Sequence, residues 1–73
     1  MTKFILVLHI CSTLYASCLP PIQDPTFYDT WLNCGIAGYE QGLNVFESLE
    51  SGIIEDSRIY IKFTCEEVES LDI

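Results

Sequence analysis

Met1-Thr2-Lys3-Phe4-Ile5-Leu6-Val7-Leu8-His9-Ile10-Cys11-Ser12-Thr13-Leu14-Tyr15-Ala16-Ser17-Cys18 opens the chain, and its reading decides what is left to fold. A short basic start precedes an apolar run of about a dozen residues, then small residues at Ser12, Thr13, Ala16 and Ser17, then Pro20-Pro21. That is the order of a secretory signal peptide, cut near residues 16–18. The run is shorter than the roughly twenty residues that span a bilayer. An uncleaved anchor, giving a membrane-tethered microprotein, is the alternative. An N-terminal helix of a cytosolic domain fits less well, since it is apolar all round with little to bury it.

The cut site sets the cysteine count. Cleavage after Ala16 leaves Cys18, Cys34 and Cys65, whereas cleavage after Cys18 leaves Cys34 and Cys65 alone. An even number pairs completely in an oxidising compartment. One disulfide, Cys34–Cys65, is therefore expected, with Cys18 open. Closing a loop of about thirty residues stabilises by ~3–4 kcal/mol in loop-entropy terms. For so small a core that rivals all other net stability.

Residues 19–65 form the expected domain. Leu19 to Gln23 is extended around Pro20 and Pro21. Asp24-Pro25 resembles an N-cap followed by proline at the first helical position, with Phe27, Trp31 and Cys34 on one face and Gly35 as a stop. The β-prone Phe27, Tyr28 and Trp31 leave a strand as the alternative. A stronger helix is expected over about residues 39–51. There Ile36, Tyr39, Leu43, Phe46 and Leu49 recur at helical spacing, Glu40, Glu47 and Glu50 take other faces, and Gly52 is the stop. Arg58-Ile59-Tyr60-Ile61-Lys62-Phe63-Thr64-Cys65 then alternates apolar and polar residues with a period of two, as an amphipathic strand does. The expected fold is small α+β: one or two short helices packed on a short strand or hairpin, disulfide-stapled. Residues 66–73 read as an acidic, solvated tail.

Composition removes most functions. The 73 residues carry eleven acids against three bases, a net charge of −8. No basic patch offers itself to a phosphate backbone, so nucleic acid is excluded as a partner. Loss of the leader would also remove Lys3 and His9, and with His9 any histidine-dependent catalysis or metal ligation. The carboxylate pairs Glu47/Glu50, Glu55/Asp56 and Glu66/Glu67 fall on expected solvent faces, outside any cleft that would split their pKa values. No loop alternates calcium ligands. The chain is therefore read as no enzyme, with no cofactor and no metal.

Cys18-Leu19-Pro20-Pro21, Phe27-Tyr28-Asp29, Cys34 and Gly42-Leu43-Asn44-Val45-Phe46-Glu47-Ser48-Leu49-Glu50 occur in an order that resembles Kunitz-type protease-inhibitor domains. The resemblance covers about half of the segment after residue 18 and implies that Cys18 is retained. It also implies a degenerate domain without inhibitory activity. Gly52 stands where that family has its fifth cysteine, and nothing between Asp24 and Phe27 corresponds to the second cysteine and the inhibitory loop. No reactive-site residue carries over.

The leading expectation is a small acidic secreted, extracellular protein that acts by binding another protein or by self-association. A membrane enters only if the leader stays uncut. The degenerate inhibitor is the further alternative. The expected binding element is the strand bearing Arg58, Tyr60, Lys62 and Thr64. A lone strand leaves backbone groups unpaired and invites a strand from another chain.

Overall fold

The computed structural model describes residues 2–69. Six elements follow one another: β1 Thr2–Ser12, β2 Ser17–Cys18, β3 Ile22–Tyr28, α1 Trp31–Ser48, α2 Ser51–Ser57 and β4 Ile59–Glu69. The strands make one antiparallel four-stranded sheet, the helices pack on it, and two disulfides staple it, Cys11–Cys18 and Cys34–Cys65. This is the expected small disulfide-stapled α+β fold, with a fuller sheet than the sequence suggested.

The stretch read as a leader lies at the sheet's centre. β1 pairs with β4 over its whole length, from Thr2↔Glu69 to Ser12↔Ile59. That occupies one edge of β1, so β2 and β3 share the other. β2 holds it at Cys11↔Cys18 and β3 between Phe4↔Tyr28 and Leu8↔Ile22. A strand whose side chains are buried on both faces wants a near-continuous apolar run. Phe4–Cys11 is one broken only by His9, with Leu6 and Leu8 buried on the face toward α1 and Val7 and Cys11 on the other. Leu6, Val7, Leu8 and Cys11, with Cys34, are the buried apolar core. Without residues 2–12 the other three strands have no partner, because every strand pairing in the sheet involves β1.

β1 and β2 form a hairpin closed by Thr13–Ala16, with Ala16 in the left-handed region at φ 52°. Ser12 Oγ accepts the Tyr15 N–H at 3.1 Å and donates to the Ser57 carbonyl at 2.5 Å, tying the hairpin to the end of α2. Cys18, left open by the sequence, faces Cys11 across this hairpin and is bonded to it.

The expected helix start at Asp24-Pro25 is a strand. Between Ile5↔Phe27 and Val7↔Gln23, β3 holds two more residues than β1, so Asp24-Pro25-Thr26 bulges out of the ladder. A bulge is where a strand tolerates a proline without a donor. Asp24 does cap a backbone N–H, that of Thr26 at 3.0 Å, but it closes a local turn instead of starting a helix. Here β-propensity at Phe27 and Tyr28, backed by pairing to β1, outweighs the cap signal.

α1 begins later. Thr30 is its N-cap, its Oγ1 accepting the Asn33 N–H at 3.0 Å. The helix then runs through Gly35 without a stop. It ends at Leu49, where the backbone turns extended (φ −81°, ψ 151°), short of the expected Ser51. Gly52 stops nothing and sits inside α2.

The face of α1 that meets the sheet also differs from expectation. Cys34, Gly38 and Gly42 are its buried residues, whereas Ile36, Tyr39 and Leu43 are 49%, 75% and 57% exposed. Small residues at four-residue steps let the helix axis come close to β4. A Cβ on Gly38 would lie under 3.0 Å from three ring carbons of Phe63. One on Gly42 would just touch Ile61 Cγ2, at 3.5 Å. The Cys34–Cys65 bridge pins this contact at one end.

β4 matches its expected alternation. Ile59, Ile61, Phe63 and Cys65 are half-buried, while Tyr60, Lys62 and Thr64 are exposed. Its strand continues past the expected end at Cys65 to Glu69, so Glu66–Glu69 are ladder residues and not tail. The remaining tail, 70–73, lies outside the described residues.

Candidate interaction surface

β4 has one paired and one open edge, and the ladder tells which backbone groups lie on each. Arg58 O accepts the Thr13 N–H at 3.1 Å, which continues the β1–β4 register by one step. In an antiparallel pair, hydrogen-bonded positions recur every second residue. Even-numbered residues of β4 therefore direct their N–H and C=O groups to β1. The odd-numbered ones, Ile59 to Glu69, direct theirs outward, where no strand among the described residues lies.

Beside this open edge runs a groove of about 570 Å³, walled by Gly38, Tyr39, Gly42, Leu43 and Phe46 of α1 and by Ile59–Phe63 of β4. The recessed Gly38 and Gly42 make its floor, and the Tyr39 ring stands edge-on to Phe63 with centroids 4.9 Å apart. Along the helix the wall extends N-terminally as Leu32, Ile36, Tyr39 and Leu43, all about half exposed or more. These lie at three- and four-residue steps, hence on one stripe. A second, smaller hollow of about 220 Å³ sits at the Cys11–Cys18 end and holds Tyr15, Leu19 and Ser57.

The four residues expected to bind a partner are not all together. Tyr60, Lys62 and Thr64 project from the sheet face opposite α1, beside β1 residues Cys11, His9 and Val7. Arg58 lies outside the strand: it is the left-handed C-cap of α2 (φ 53°), and its guanidinium is 3.6 Å from the Glu55 carboxylate. The lone-strand premise is corrected as well, because β1 pairs β4 throughout; only the outer edge stays open. The helical half of the groove was not foreseen from the sequence. Its signal was the Cys34, Gly38, Gly42 spacing, which marks the packed face and so assigns Ile36, Tyr39 and Leu43 to solvent.

The charge on β4 is graded. Lys62 lies toward its start, and Glu66, Glu67 and Glu69 occupy its end. Neither ion pair among the described residues, Lys3–Asp29 or Arg58–Glu55, engages Lys62 or Glu66. Among the described residues no three His, Cys, Asp or Glu side chains gather to hold a metal ion. A perturbed carboxyl lies at the β3 bulge. The Thr26 N–H holds Asp24 below its ordinary 3.8, helped by the Tyr28 hydroxyl that donates to it at 3.0 Å. Desolvation and that same carboxylate push the Tyr28 phenol up.

No family model, curated protein or solved structure matches this chain.

Proposed function

We propose that this protein is a small acidic module of the extracellular space that acts by protein binding, taking an extended segment, of another protein or of a second copy, along the open edge of β4 with side chains in the groove beneath α1. The observation that carries the reading is the juxtaposition of outward backbone groups on β4 with an apolar groove on the same flank. Strand addition uses both: main-chain hydrogen bonds give affinity, and alternate side chains reach a pocket. An exposed edge of this length is ordinarily blunted by charge, proline or a bulge. The first half of this one, Ile59 to Thr64, carries Lys62 as its single charge and its ladder to β1 is regular, whereas Glu66, Glu67 and Glu69 charge its end. Two disulfides support an oxidising compartment, where such bonds persist. No helix among the described residues is long and apolar enough to cross a membrane. The form that carries this surface keeps residues 2–18, since β1 holds β4 in place.

Panning a phage library of random linear peptides against the oxidised full chain tests the reading. Enrichment of β-prone, apolar peptides that lose binding to a Leu43→Asp variant is the expected result. Enrichment indifferent to Leu43→Asp, or none, would overturn it.

A further inference from the structure

The sequence of β4 itself limits which strand its open edge can accept. We propose that the strand accepted by β4 is β4 of a second copy, running antiparallel, with Thr64 facing Thr64 across a two-fold axis. This rests on reading the β4 edge as strand-accepting and names its occupant.

The register follows from two constraints. Outward hydrogen-bonding groups belong to odd-numbered residues, so odd must pair with odd and even with even. Among the registers that satisfy this, the one centred on Thr64 sets Lys62 opposite Glu66 of the other copy, twice by symmetry. It also sets Tyr60 opposite Val68, again twice. Even positions are then the non-hydrogen-bonded pairs, where side chains approach most closely. Both pairs lie on the sheet face away from α1. Moving the centre to Phe63 puts Lys62 opposite Thr64, and moving it to Cys65 puts Lys62 opposite Val68; each gives up the ion pair. A parallel arrangement in register sets Glu66 beside Glu66. The grading of charge along β4 therefore selects an antiparallel copy of itself, the self-complementary contact of a two-fold dimer.

The helices supply an independent fit. α1 packs over β4 and β1, so in the dimer two copies of α1 lie on one face of a continuous eight-stranded sheet. The stripe that meets across the axis is Leu32, Ile36, Tyr39 and Leu43, the apolar residues that the monomer leaves in solvent. Net charge of −8 on each copy opposes the approach, so association is expected at about 0.15 M salt and weakens when salt is removed.

Sedimentation velocity over a concentration series, on the oxidised full chain, tests this with four proteins: wild type, Lys62→Glu, Glu66→Lys and the double variant. Each single change replaces two attractive cross-strand pairs with two repulsive ones and is expected to raise the dimer dissociation constant on the order of 30-fold. The double variant restores wild-type association. So does an equimolar mixture of the two single variants, because a mixed dimer again sets opposite charges against each other at both cross-strand pairs. Restoration by mixing separates register from any loss of folding. A wild-type dimer indifferent to both single changes, or unrestored by mixing, overturns the proposal. A monomer at about 0.5 mM overturns it too, and amide exchange then places the failure. Fast exchange at Ile61, Phe63 and Cys65 leaves the strand-accepting edge intact for another protein. Slow exchange there means the edge is not open, and the proposed function falls with the dimer.

Discussion

Replacing Gly38 with alanine measures how closely α1 lies on β4. In a helix interior that change gains about 1 kcal/mol from propensity alone. Against it stands the new methyl, which would sit under 3.0 Å from three ring carbons of Phe63. Overpacking of this kind costs about 1–3 kcal/mol. The neighbouring Gly35 is the control, because it shares the helix and has nothing within 4 Å of an added Cβ. Gly35→Ala is therefore expected to stabilise by about 1 kcal/mol. The difference between the two variants cancels propensity and leaves the contact, about 2 kcal/mol. In a domain of this size that separates their melting temperatures by roughly 8–16 °C. Thermal unfolding followed by circular dichroism, with the disulfides intact, reads it directly. Phe63→Leu in the Gly38→Ala background is expected to recover part of the loss, and a double-mutant cycle gives the coupling. If Gly38→Ala melts as high as Gly35→Ala, α1 does not rest on Phe63 and the groove has a different floor.

Cys34→Ser is expected to cost more than Cys11→Ser in a denaturant melt, about 3.5–4 against ~2.5 kcal/mol in loop-entropy terms, because the bridged positions are 31 and 7 residues apart; equal losses would show that loop size does not govern. Asp24 is expected to titrate below 3.8 by NMR and to move back toward that value in Tyr28→Phe. Because its folded pKa is depressed, its contribution to the bulge is complete above the ordinary value and fades as pH falls through the lower folded one; a bulge whose stability does not change there excludes the contact. A chain starting at Ser17 is expected to show no cooperative melt, since every strand pairing in the sheet uses β1. Folded protein collected from the medium of secreting cells should keep the mass of a chain retaining residues 2–18; a cooperative fold about two kilodaltons lighter (roughly 110 Da per residue) would show that the centre of this sheet is dispensable.

How much was legible in the sequence varied by element, for physical reasons. The alternation of Ile59 to Cys65 admits one reading, because a period of two has no helical counterpart. Counting the cysteines left after a cut at Cys18 leads to the Cys34–Cys65 bridge, which forms beside a second bridge, Cys11–Cys18, that the count leaves out. Phe4–Cys11 reads as a leader because a leader and a central strand both favour a long apolar run, broken here only by His9, and periodicity is silent in each. Asp24-Pro25 looked like a helix start because a carboxylate that caps a turn also caps a helix. Along α1 the largest apolar side chains suggested the buried face, yet the packed face belongs to Cys34, Gly38 and Gly42. That inversion hid half of the candidate surface while leaving Tyr60, Lys62 and Thr64 where the alternation put them.

The pairing of β1 with β4 also governs when this protein folds. The longest ladder in the sheet joins the first described strand to the last, so its contacts are among the most distant in the chain. Such contacts form only after the loop between them has closed, and domains built on them fold slowly. During synthesis β1, an apolar segment, emerges before the other described elements, and β4, its long-range partner, emerges after them. Meanwhile β1 has only its nearer partners, the β2 hairpin with cysteines seven residues apart and then β3, both on its other edge. Until β4 arrives, the strand that later organises the fold is also its most aggregation-prone stretch, and a chaperone or membrane surface competes for it.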